Sequence, residues 1–136
     1  MKESTKKVMG LAAYGKPKYA EKLKETIFIK SDNLILDTSY FDFVRSIKQS
    51  YSEKLISLVG FSPREPHTTL DLKQVNFKNY ADLAASVQKV TEDLLLEIFN
   101  IARKKTNKSV FHFSGGVAMN SVAVMKISNL SYVEKL

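Results

Sequence analysis

The residues of this chain that look suited to chemistry are gathered in Ser109–Asn120, Ser-Val-Phe-His-Phe-Ser-Gly-Gly-Val-Ala-Met-Asn. A short apolar run meets Gly115-Gly116 and leads into a helix-compatible segment beginning near Val117. Such a strand, glycine turn and helix N-terminus suits a phosphate or a nucleotide. Glycines let the backbone come close to a ligand, and the first free N–H groups of the helix point at it. The same residues also satisfy a plain tight turn. Ser114 either caps the helix that follows or touches a phosphate. Asn120 either hydrogen-bonds the ligand or holds the loop.

Other chemistries find less support. There are no cysteines, so neither a disulfide framework nor a thiolate metal site is available. The two histidines, His67 and His112, are 45 residues apart. His112 lies between Phe111 and Phe113, and alternation along a strand sends it to the opposite face from both. No Ser-His-Asp arrangement or supported carboxylate pair is visible, which argues against a self-contained hydrolase and leaves catalytic residues unassigned.

The elements that must position the loop follow from periodicity. Leu83, Val87, Val90, Leu94, Ile98 and Ile101 recur at steps of three or four, predicting a helix over 80–105 with Asp82, Lys89, Glu92 and Glu97 on its other faces. Thr106-Asn107-Lys108 is the turn, Val110–Phe113 a strand, and Ala118–Ser128 a second helix. The long helix is expected to pack on a small sheet that includes Val110–Phe113. Upstream, Val8–Tyr19 reads as a small-residue segment and a turn, with a short helix from Pro17 to about Glu25. Thr26–Lys30 and Leu34–Asp37 read as a hairpin, Ser50–Val59 as a short helix ended by Gly60, and Phe61–His67 as a loop. The fold class is α/β.

At 136 residues the chain fits one domain or a piece of a larger one. Net charge is +7, with eight Lys against three Glu in residues 1–30 and a second cluster at Arg103-Lys104-Lys105. Such charge can meet nucleic acid or phosphorylated small molecules. Aromatics are not interleaved with the lysines, so a solvated surface is the better reading and no nucleic-acid partner is expected. No apolar stretch is long enough to span a bilayer and no signal peptide is visible, so a soluble, cytoplasmic protein without a membrane partner is expected.

Val-Met-Gly-Leu-Ala-Ala-Tyr-Gly-Lys-Pro (8–17), Gly-Phe-Ser-Pro-Arg (60–64), Asp-Leu-Ala-Ala-Ser-Val-Gln (82–88) and Ser-Gly-Gly-Val-Ala-Met-Asn (114–120) occur in that order. Together they resemble the carbamoyltransferases of the nodulation-protein and antibiotic-tailoring type, over about Lys7 to Ile127. The resemblance implies part of an actin, sugar-kinase and heat-shock-ATPase-like domain with ribonuclease-H-like halves. It implies a single partial domain over 1–136, with a family-specific helix, hairpin and loop region at 8–79 and a nucleotide-loop region at 80–136. It implies transfer of a carbamoyl group from carbamoyl phosphate, with ATP and through carbamoyl adenylate, to a hydroxyl on a sugar-containing acceptor. Ser114, Gly115, Gly116, Val117 and Asn120 would face the adenine nucleotide, and Lys16 and Arg64 are candidate phosphate contacts. The family's divalent metal uses a His-x-x-x-His and a Gly-Asp-x-Gly, neither of which occurs in this sequence. The chain thus resembles an internal part of the catalytic domain, inactive in isolation. Ala13 stands where the family usually has Pro, and Val124-Met125 where Asn-Gly usually follows the loop. The alternative is a non-catalytic, basic α/β binding or interaction module.

Overall fold

A computed structural model describes residues 2–43, 46, 49–64, 72, 73 and 75–136, of which 2–6 as backbone alone. His67 and the end of the Phe61–His67 loop lie outside the described residues. The chain forms a small mixed α/β arrangement built around one long helix. In order come α1 (Lys2–Ala12), α2 (Ala20–Leu23), β1 (Ile27–Lys30), β2 (Asn33–Leu36), α3 (Glu53–Val59), α4 (Phe77–Thr106) and α5 (Ser121–Ser128). Single 3-10 turns occupy Thr38–Tyr40 and Val117–Met119.

The hairpin is as the sequence predicts, with β1 antiparallel to β2 and Ile27 opposite Leu36. The short helix α3 ends where Gly60 takes a left-handed conformation at φ +85°. Helix α4, 30 residues long, spans about 45 Å at 1.5 Å per residue. Against it lie α1, α2 and α5.

Four expectations need correction. Val8–Tyr19 is not merely a small-residue segment and turn, because α1 runs through Ala12; its Met, Leu, Ala and Lys residues are good helix formers. Val110–Phe113 is not a strand. Its backbone pairing among the described residues is a single parallel bridge, Val110 to Lys135, with Phe111 N–H donating to Lys135 O at 2.9 Å. A strand needs a ladder, and one bridge does not make one. The sheet expected under α4 is therefore absent among the described residues. The rings of Phe111 and Phe113 instead meet Phe99 edge-on, at 5.2 and 5.5 Å between centroids. The second helix begins at Ser121 rather than Ala118, because a 3-10 turn comes first.

The fourth correction concerns the faces of α4. Val90 is buried, but Val87 is 41% exposed. Asp82 and Glu92, expected on other faces, are buried as well. The buried stripe includes Ala81, Ala84 and Ala85, whose small side chains allow neighbours to approach the helix backbone. Two clusters make the core: Leu95 and Phe99 with Ala123 and Ile127 of α5, and Val90 with Ala20 and Leu23 of α2.

Candidate functional site

Gly115 has φ +101°, a conformation that strains any residue with a side chain. Gly116 is ordinary, at φ −62°, so the positive-φ argument applies to Gly115 alone. A Cβ added at either glycine meets nothing within 4 Å. Both glycines, Ser114 and Val117 are exposed. The loop thus presents open backbone to solvent.

Ser114 is not the cap of the helix that follows. Gly116 precedes the 3-10 turn, and the α5 cap is Asn120, whose Oδ1 accepts from Ala123 N–H at 3.2 Å. Asn120 is 4% exposed. Its Nδ2 donates to Gln88 Oε1 at 2.9 Å, and Gln88 Nε2 donates back to Asn120 Oδ1 at 3.1 Å. Of the two roles open to Asn120 in the sequence, this geometry is that of a residue holding the loop. Ser121 and Val122, at the start of α5, have no carbonyl within the helix to bond and face outward.

Lys16 belongs to a second construction on α4. Its backbone N–H donates to Asp82 Oδ1 at 2.7 Å while its side chain is exposed. Lys18 Nζ is 2.7 Å from Asp82 Oδ2, and Lys78 Nζ is 3.3 Å from Oδ1. Burial alone pushes this carboxyl up. The Lys18 ammonium, the Lys16 N–H and the Lys78 ammonium overcome that and hold it at about 2. The next turn adds Ser86, whose Oγ accepts from Tyr19 N–H at 2.9 Å. The chain reaches this position through Gly15, where an added Cβ would stand 1.9 Å from Ala81 O.

Arg64 lies elsewhere. It lines an apolar groove of about 490 Å³, with Phe61, Tyr80, Leu83 and Leu94 among its walls. Leu83, Val87, Val90 and Leu94 share one face of α4. Gln88 and Glu92 lie more than roughly 100° around the helix from it. The structure therefore joins the loop and the Lys16 turn to one stretch of α4, 82–88, and places Arg64 against a different face.

His112 is exposed, while Phe111 and Phe113 on either side of it are half-buried, so it does point away from both although the segment is not a strand. Among the described residues, no three His, Cys, Asp or Glu side chains gather where a metal ion could sit. The described residues do not fit the divalent metal that the resemblance implies. No helix among the described residues is long and apolar enough to cross a membrane. Part of the positive charge is paired: Lys24, Lys54, Lys89 and Lys105 meet Glu21, Asp37, Asp93 and Asp32.

Sequence reasoning assigned no role to Gly15, Asp82, Ser86, Gln88 or Glu92. The available signal was an acid, a serine and a glutamine interrupting an alanine-rich helical stretch.

The family model for the carbamoyltransferase N-terminus matches residues 1–135. An uncharacterized protein of Synechocystis sp. is 32% identical over 119 residues, covering 86% of this chain and 18% of the relative. The chain thus spans less than a fifth of that curated relative's length. No solved structure matches.

Proposed function

This chain belongs to the carbamoyltransferase family, matching the model of that family's N-terminus over residues 1–135, and from that premise we propose that it serves an ATP-dependent O-carbamoyltransferase of the nodulation-protein and antibiotic-tailoring type. In this reading the chain is part of an actin-like, ribonuclease-H-like catalytic domain working in the cytoplasm. The carbamoyl group passes from carbamoyl phosphate, through carbamoyl adenylate, to a hydroxyl of a sugar-containing acceptor. Ser114, Gly115, Gly116, Val117 and Asn120 form the adenine-nucleotide loop. Lys16, in the turn held by Asp82, and Arg64, beside the apolar groove, are cations for anionic oxygens of the wider active site.

One observation carries this reading. Gly115 and Gly116 are exposed, open space surrounds both, and the loop runs into the N-terminal end of α5. A polar ligand there meets unpaired N–H groups at the positive end of a helix dipole.

Gly116→Val in the full-length enzyme tests it. Its backbone φ suits a valine and its Cβ position is empty, so the thermal midpoint of the nucleotide-free protein should stay within about 2 °C of wild type. The ATP dissociation constant, read by calorimetry, should rise. An unchanged constant would mean that the loop is only a turn.

A further inference from the structure

The side-chain positions of the glycine pair are open: nothing lies within 4 Å of where a Cβ would be at either residue. The pair's position is set by its two ends. At one end Phe113 rests on Phe99, and at the other Asn120 pairs with Gln88. This second end is polar, with Asn120 and Glu92 buried and Gln88 half-buried between them, so its geometry is strict.

Each amide in that pair has its orientation dictated from outside. Ala123 N–H needs an acceptor, so Asn120 presents Oδ1 to it. Glu92 is 5% exposed and, ionised, only accepts, so Gln88 turns Nε2 toward its Oε1 at 2.7 Å. That leaves Gln88 Oε1 facing Asn120 Nδ2, as observed. The Lys126 ammonium on α5 donates to Glu92 Oε2 and compensates the buried carboxylate. The network therefore runs from α4 through the last loop residue to α5 and has one consistent set of donors and acceptors.

We infer that Gln88, oriented by Glu92 and Lys126, is a positioning residue for the nucleotide loop, setting its affinity for ATP by acting through Asn120. This rests on the reading of Ser114–Asn120 as that loop. Without the amide pair, Asn120 loses its fixed place on α4, and the N–H groups at the start of α5 lose their aim.

The test is ATP calorimetry on the full-length enzyme, at least about 20 °C below each variant's midpoint so that the protein is folded. Gln88→Leu removes both arms of the amide pair and the bond to Glu92; Gln88→Glu is isosteric, removes the donors and sets a second carboxylate against Glu92. Either should raise the ATP dissociation constant about ten-fold, as expected for the loss of two or three hydrogen bonds of the network. Lys126→Met, at the exposed end of the network, should raise it about three-fold and serves if the Gln88 variants do not fold. A purely structural role would lower the midpoint and leave the dissociation constant of the folded protein unchanged. That result, alongside a weakened Gly116→Val, would overturn the positioning role and leave the loop reading intact. If Gly116→Val also bound ATP normally, both would fall.

Discussion

Gly15→Ala should disable the junction between the Tyr14–Tyr19 turn and α4. A Cβ at Gly15 would stand 1.9 Å from Ala81 O, 2.2 Å from Ala81 C and 2.7 Å from Asp82 N. All three atoms are helix backbone, so no side chain can swing aside. Restoring an ordinary contact of about 3.4 Å requires the turn to withdraw by roughly 1.5 Å. Lys16 N–H and Asp82 Oδ1, now 2.7 Å apart, would then separate beyond hydrogen-bonding distance. Overpacking of this kind costs about 1–3 kcal/mol. A lost hydrogen bond to a charged group costs about 1.5–3 kcal/mol more. The sum, about 2.5–6 kcal/mol, is a large part of the total stability of a domain of this size. The thermal midpoint should fall by roughly 10–20 °C. Helical circular dichroism during heating and urea titration would measure the loss. Gly10→Ala is the control: it lies within α1, its Cβ would meet nothing within 4 Å, and it should stabilise by about 0.5–1 kcal/mol. A Gly15→Ala protein melting within about 2 °C of wild type would refute the reasoning.

Three further outcomes follow. Asn120→Ala removes the α5 cap and leaves Gln88 Oε1 without its donor, so it should destabilise the nucleotide-free protein by about 1.5–3 kcal/mol in urea titration, in addition to any effect on ligand. The Asp82 carboxyl titrates at about 2 in the fold, below roughly 3.9 in an unfolded chain; its stabilisation is fully present above about pH 4 and is lost as pH falls toward 2. Asp82→Asn should flatten that part of the acid-unfolding curve. Leu94→Ala should cost about 1–2 kcal/mol, short of the 2–5 kcal/mol of a fully buried leucine, because Leu94 is half-buried at the groove wall.

Much of the local structure was legible in the sequence. The hairpin showed in its β-rich runs around Ser31-Asp32-Asn33, the α3 stop in Gly60, and α4 in its three-and-four spacing. Tertiary contacts were less legible. Val110–Phe113 has strand-forming residues, but extended structure becomes a strand only when a neighbour completes the ladder, and Lys135 provides one bridge. Hydropathy placed Asp82 and Glu92 outside because charge usually faces water. Here Lys16 N–H, Lys18 and Lys78 compensate one, and Gln88 and Lys126 the other. Those partners lie as much as 66 residues away, beyond the reach of periodicity. At the candidate site, the glycine pair and the open loop were foreseen, while the supports beneath it were not.

Those supports explain why separate segments work as one unit. Asp82 and Gln88 stand six residues apart on α4, about 9 Å along its axis. One anchors the turn after α1 and the other anchors the end of the glycine loop. Ser86 lies between them and holds Tyr19. A helix is stiff over that distance, so the turn and the loop are referred to a common frame. Alanines at 81, 84 and 85 keep that frame narrow enough for close backbone approach, which Gly15 completes. Replacing this stretch with a generic amphipathic helix would retain the apolar face that periodicity detects. It would remove the three polar anchors, and with them the fixed relation between the Lys16 turn and the Ser114–Asn120 loop.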